Sequence, residues 1–265
     1  MTSVFFLFLL HLALGLMAML PFVPALAGPR FFKFCSGAAV LMMTAGAWLL
    51  YRRFGMEGGA AAPGGTRYAP MLAATVACLL LTVLYNRAHH FGARRLQAPL
   101  LAGSLVAGLA AVLLGTPDQP RVLAVATDLT SILLLGAAAG AMILGHWYLV
   151  VLDLPIAALR RLTVLLIAGL VLRAAVVAWA LAGTPQGLED ARLVATGLWS
   201  PDGVFVWMRI LFGLAGPLSL IWFIWKTVEI RSTQSATGIL YVQLFLVLSG
   251  ELLAKYLRVA AGFPL

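Results

Sequence analysis

Eight long runs of apolar residues dominate this chain and constrain its fold more than any other feature. They fall at 3–26, 34–51, 69–86, 97–115, 123–151, 161–182, 203–225 and 237–262. A helix of about 20 residues rises about 30 Å, the thickness of a bilayer's hydrocarbon core. Runs of that length and apolarity predict membrane-spanning helices. Composition agrees: 63% of the 265 residues are hydrophobic, 10% are charged, and the mean hydropathy is +1.02. A soluble domain is about 45–50% apolar and about 25% charged. The expected fold is therefore an all-α polytopic bundle of about eight helices, a single integral membrane domain over 1–265 with lipid as its solvent.

Short breaks separate the runs. Gly28-Pro29-Arg30 ends the first, and Gly58 to Gly65 reads as a flexible loop. Pro117 to Pro120 predicts a tight turn. The longest polar segment, 183–203, has room for a short interfacial helix around Leu188 to Leu198. Ala25-Leu26-Ala27 resembles a signal-peptidase site, but no Lys or Arg precedes the apolar run, so it reads as a retained first helix. Runs ending in Trp48 and Trp179 invite a four-plus-four comparison, but the halves do not otherwise align.

The net charge of +9 and pI of about 10.3 do not point to nucleic acid, because most basic residues flank apolar runs. Breaks after runs one, three, five and seven hold nine of them: Arg30, Lys33, Arg87, Arg94, Arg95, Arg160, Arg161, Lys226 and Arg231. The opposite side holds five: Arg52, Arg53, Arg67, Arg121 and Arg192. The positive-inside rule places the first set in the cytoplasm and both termini outside, as for a protein of a bacterial inner membrane.

Cys35 and Cys78 lie within or beside apolar runs, with no C-x-x-C and no Cys/His cluster. That spacing predicts no metal site, disulfide or cluster. Gly-rich phosphate loops, G-x-S-x-G and H-E-x-x-H are all absent, so a nucleotide-driven engine or a hydrolase is not indicated. Gly136 and Gly140 form a G-x-x-x-G, while Gly213, Gly216 and Pro217 predict a tight helix contact followed by a kink.

Eight ionisable residues fall inside the runs: His11, Asp128, His146, Arg173, Arg209, Glu251, Lys255 and Arg258. A charge at a helix centre costs about 2.5–3.5 kcal/mol on the insertion scale, so such residues face protein or water and have partners. Glu251, Lys255 and Arg258, spaced i, i+4, i+7, share one helical face. With both termini outside, these three, Arg209 and Asp128 fall in the outer half. His11 lies about 12 Å along its helix and Arg173 near the middle of its own, so both can reach the same region.

Two readings of this set stand. In one, Glu251–Lys255 and Asp128 with an Arg are buried pairs that fix helix register, while Arg209 and Arg258 snorkel to headgroups. In the other, the set surrounds a polar ligand head, with unpaired positive charge suited to a quinone carbonyl, a quinol oxyanion or an anionic substrate. His146, in Gly145-His146-Trp147-Tyr148, sits at the other end. Haem b ligation by it would need a second axial ligand at similar depth, so interfacial packing or hydrogen bonding is favoured.

The segment from Gly250 through Glu251, Lys255, Arg258 and Gly262 resembles the last helix of the NrfD-type anchors, the membrane subunits of polysulfide and dimethyl sulfoxide reductases. Leu14-Gly15-Leu16, after an aromatic run, is loosely similar to that family's first helix. The resemblance implies eight helices, termini outside, a quinone or quinol bound near the outer face, and an iron–sulfur partner that takes or gives electrons. It carries over only Glu251, Lys255 and Arg258; His11, Asp128, Arg173 and Arg209 rest on their charge and depth. On this reading Glu251 handles the quinone's proton and a neighbouring cation polarises its oxygen. The alternatives are a transporter or channel for a small anion or protons, and a structural subunit without a site. Inverted repeats with paired broken helices, the marks of a transporter, are not visible in the sequence.

Overall fold

The computed structural model describes residues 2–56, 65–116, 121–151, 153–183 and 201–261, which are helical almost throughout, with no strand among them. Eight helices are long and apolar enough to cross a membrane. The expected loop around Gly58, the Pro117–Pro120 turn and the interfacial helix around Leu188 lie outside the described residues.

The chain divides into two compact units, Thr2–Arg121 and Val122–Leu265. The first holds α1 (Thr2–Met19), α2 (Gly28–Met56), α3 (Gly65–His90) and α4 (Arg94–Gly115). The second holds α5 (Arg121–Trp147) from its second residue onward, and α6 (Ala157–Gly183). Its seventh span is broken into α7 (Pro201–Ile210), a π-turn (Leu211–Ala215) and α8 (Gly216–Glu229). The eighth is α9 (Thr233–Tyr256), ending in a second π-turn (Leu257–Ala261).

Helix boundaries differ from the apolar runs where proline decides. The first run is expected to continue to residue 26, but α1 stops at Met19 and two short 3-10 turns follow, Leu20–Phe22 and Ala25–Ala27. Pro21 and Pro24 lack the N–H that a continuing α-helix needs. Gly28 takes a φ of +78°, a left-handed conformation open to glycine at little cost, and redirects the chain. Pro29 then sits in the first turn of α2, where its missing N–H has no helical partner to lose. Arg30 and Lys33 thus belong to α2 rather than to a loop.

In the first unit α1 packs on α2 and α4, α2 on α3, and α3 on α4. Its interior is apolar with neutral polar links. Thr82 Oγ1 lies 2.7 Å from Ser104 Oγ, and Asn86 Nδ2 donates to the Lys33 carbonyl at 2.9 Å and to Ser36 Oγ at 2.8 Å. Such hydrogen bonds tie spans together where lipid removes the hydrophobic drive for association. Gly108 of α4 lies against Leu14 and Cys78, so these helices approach closely.

In the second unit the small residues of α5 do the corresponding work. Gly136 through Ala141, which includes the G-x-x-x-G, are all buried. A Cβ on Gly169 of α6 would stand 3.2 Å from the Leu134 Cα, and one on Gly145 would stand 3.0 Å from Thr237 Oγ1 of α9. Helices α6 and α9 therefore each come close to α5. The expected tight contact of the seventh span is there too: Gly213 meets Gly250 backbone to backbone. Elsewhere large apolar side chains face outward, among them Leu41, Val106, Trp222 and Phe245, each more than half exposed. Water would penalise that surface, whereas lipid accepts it.

Candidate functional site

Six of the seven residues marked for the site meet in the second unit, at the end where α5 and α7 begin and α6 and α9 finish. Glu251 is the hub. Its side chain is fully buried. Arg173 Nε donates to its Oε1 at 2.8 Å and Arg173 Nη2 to its Oε2 at 3.4 Å, a forked approach to one carboxylate. Arg209 Nη2 reaches Oε1 at 3.2 Å, and Lys255 Nζ reaches Oε2 at 3.4 Å. The intrahelical pair expected from the i, i+4 spacing is therefore present, but Arg173 makes the shorter contact.

The remaining donors are partly anchored elsewhere. Arg173 Nη1 donates to the Thr127 carbonyl at 3.2 Å, and Lys255 Nζ to Ser131 Oγ at 2.7 Å. Arg258 makes a forked ion pair with Asp128 and is the Arg partner expected for that carboxylate of α5. Arg209 is only 1% exposed, so it turns inward instead of snorkelling to headgroups. Arg258 keeps 17% of its side chain exposed.

Backbone chemistry sets this arrangement. Gly213 lies four residues after Arg209, and a Cβ there would overlap the Arg209 guanidinium. A Cβ at Gly250 would stand 2.6 Å from the Gly213 nitrogen. Two bare glycines thus bring the seventh span against α9 beside Glu251 and leave room for the Arg209 head. The π-turn that contains Gly213 adds a residue to the helical turn, a feature that concentrates at functional sites. Arg258 stands in the second π-turn.

Among the described residues, four cations face two carboxylates in this cluster, a surplus of two positive charges when all are ionised. Among the described residues, Arg209 Nε and Nη1 have no hydrogen-bond partner although both are buried. Gln243 of α9 is also buried, with both amide atoms unpartnered, and it lies eight residues before Glu251 on the same helical face. A buried donor left without an acceptor costs about 1–3 kcal/mol, more when charged. The arrangement can accept an anionic or carbonyl oxygen without further rearrangement of charge.

His11 is buried in α1 of the other unit. His146 stays near the opposite end of α5, exposed, with its Nδ1 3.3 Å from the Tyr241 hydroxyl. Among the described residues no group of three or more His, Cys, Asp or Glu is arranged to hold a metal ion.

Sequence reasoning missed Ser131, the Thr127 carbonyl and Gln243, because only ionisable residues were counted as intruders. Two signals were available. Ser131 is three residues after Asp128, so it shares that face of α5. Gln243 repeats the face of Glu251 two turns earlier. No family model, curated protein or solved structure matches this chain.

Proposed function

We propose that this chain is an integral membrane subunit of a respiratory-type redox complex, binding a quinone or quinol head at the Glu251 cluster. The observation that carries the reading is the surplus of positive charge among the described residues, with two buried Arg209 donors, Nε and Nη1, that none of them accepts. A quinone head is an apolar ring with two oxygens that become anionic or protonated as it is reduced. An apolar helix bundle with preset N–H donors fits such a ligand, because the donors need no reorganisation as charge develops.

The same geometry supports a proton exchange. When a quinol hydroxyl gives its proton to the Glu251 carboxylate, one anion is neutralised as another forms. The phenolate oxygen takes over the cations that the carboxylate releases, so the net charge of the buried site stays constant. Arg173 and Ser131 hold their neighbours in place through contacts that this exchange leaves intact. Electrons pass to an iron–sulfur partner, as the NrfD-type resemblance implies. The setting is the bacterial inner membrane, with both termini and the cluster towards the outer face.

Glu251→Gln is expected to abolish quinol-dependent reduction of the partner while the protein remains in the membrane. Unchanged turnover contradicts the assignment.

A second reading, a carrier of a small anion or protons, is favoured by one observation: two π-turns adjoin the cluster, in the seventh and eighth spans. Interrupted helices line binding sites in transporters. Uptake of chloride or protons into proteoliposomes by the purified chain alone, lost in Arg209→Gln, decides for it.

A further inference from the structure

The first unit has a cavity of about 920 Å³, within the size range of pockets that hold drug-sized ligands. It lies between α2, α3, α4 and the 3-10 turns after α1. Its walls are mostly apolar, with Leu20, Phe32 and Tyr85 among them. Its polar lining includes His89, Arg94 and Gln97. His89 is stacked on Phe32 at 5.0 Å and edge-on to Tyr85 at 4.7 Å. Its Nε2 is buried and has no hydrogen-bond partner among the described residues.

Charge at this end is of one sign. The helix ends beside the cavity carry Arg30 and Lys33 on α2, Arg87 on α3, and Arg94 and Arg95 on α4. Residues 2–121 hold only two acidic residues in sequence, Glu57 and Asp118, and both fall outside the described residues. Arg94 lines the apolar cavity itself, and the other four cations stand on the same helix ends, with no carboxylate in the sequence between residues 19 and 33 or between 87 and 95. The Asn86 links to Lys33 and Ser36 hold α2 and α3 together at this level.

We infer that this cavity is a binding site for an anionic phospholipid. Its acyl chains lie along the apolar wall, and its phosphate meets Arg94 and the neighbouring cations, with His89 Nε2 a further polar contact. Basic pockets between membrane helices recognise such headgroups through this combination. A zwitterionic lipid carries the same chains but no net charge to meet five cations.

The test is lipid retention by the purified full-length chain. The protein is exchanged into vesicles of pure phosphatidylcholine, or of equimolar phosphatidylcholine and phosphatidylglycerol. It is then released gently and its bound lipid read by native mass spectrometry. Phosphatidylglycerol is expected to persist where phosphatidylcholine is stripped, and inorganic phosphate in excess is expected not to displace it. The R94Q/R95Q pair is expected to weaken retention about tenfold or more, since each basic residue near an anionic headgroup contributes about fivefold. Ala102→Trp, which fills the cavity and leaves every cation in place, is expected to do the same. The R52Q/R53Q pair removes two cations from the other end of α2 and is expected to leave retention unchanged. Equal retention of the two lipids by the unaltered protein overturns the inference, as does displacement by phosphate alone. So does retention that survives Ala102→Trp, or that R52Q/R53Q reduces as much as R94Q/R95Q.

Discussion

The two units of this chain solve the same packing problem in different ways. The described interior of Thr2–Arg121 buries His11, Ser36, Thr75, Thr82, Ser104 and Thr116, and no Asp, Glu, Lys or Arg. The interior of Val122–Leu265 buries Asp128, Arg173, Arg209, Glu251 and Lys255. Both units use glycine to bring helices together, Gly108 in one and Gly145, Gly169, Gly213 and Gly250 in the other. Hydroxyls, an amide and small residues are thus enough to assemble four spans. A network of buried charge is not required for that task, and it is costly to insert. Its presence, among the described residues, in one unit alone is the reason to look there for chemistry.

The sharpest way to break this contrast is to remove one group from each interior. Glu251→Ala leaves Arg173, Arg209 and Lys255 facing one another without a counter-charge, and is expected to cost about 3–5 kcal/mol. Thr82→Val removes one neutral interhelical hydrogen bond and is expected to cost about 0.6 kcal/mol, at most about 1.7. Reversible unfolding of each variant in mixed micelles compares the two. Similar losses contradict the distinction between the units.

Glycine contacts give the next largest effect. Gly250→Ala places a methyl group against the backbone of Gly213 and Phe212, which cannot move without shifting a span. A cost of about 1–3 kcal/mol is expected. Gly108→Ala meets the tip of the Leu14 side chain and the Cys78 sulfur, and Leu14 can change rotamer. The expected order in thermal unfolding is Gly250→Ala below Gly108→Ala below the unaltered protein. The reverse order shows that the Gly213–Gly250 approach is not as tight as described.

Asp128→Asn is expected to cost about 1–2 kcal/mol, less than loss of Glu251, because Arg258 remains partly solvated and keeps a neutral acceptor. At the smallest end, Lys226→Ala removes the exposed pair with Glu229, 2.9 Å apart, and no change in the unfolding midpoint is expected.

Most of the fold was legible in the sequence, because apolar length alone identifies a span. All eight helices long enough to cross a membrane overlap the eight apolar runs. The error at residues 20–33 has a local cause: apolarity continued past Met19, but Pro21 and Pro24 ended the helix and Pro29 started the next one early. The cluster was legible in membership, since charges stand out against apolar runs. Its wiring was not. The i, i+4 rule found Glu251–Lys255, but the forked Arg173 contact joins residues 78 apart in sequence and depends on which helices are neighbours. Gly213 predicted a tight contact but not its partner, Gly250, which lies 37 residues on in another span, and Gln243 carries no charge to mark it. The cavity beside His89 had only its basic residues as a signal, and these were assigned to orientation.

The most direct test of the central claim is equilibrium binding of decylubiquinone to the purified full chain in phosphatidylcholine nanodiscs, with the unaltered protein beside Arg209→Gln. Arg209→Gln removes a cation two of whose donors, Nε and Nη1, no described residue accepts, while Arg173 and Lys255 still balance Glu251. Saturable binding to the unaltered protein, weakened about tenfold or more in the variant, is predicted, because a hydrogen bond from a charged donor contributes about 1.5–3 kcal/mol. Binding that does not saturate, or that the variant leaves unchanged, contradicts the account and leaves the charge network as a structural device.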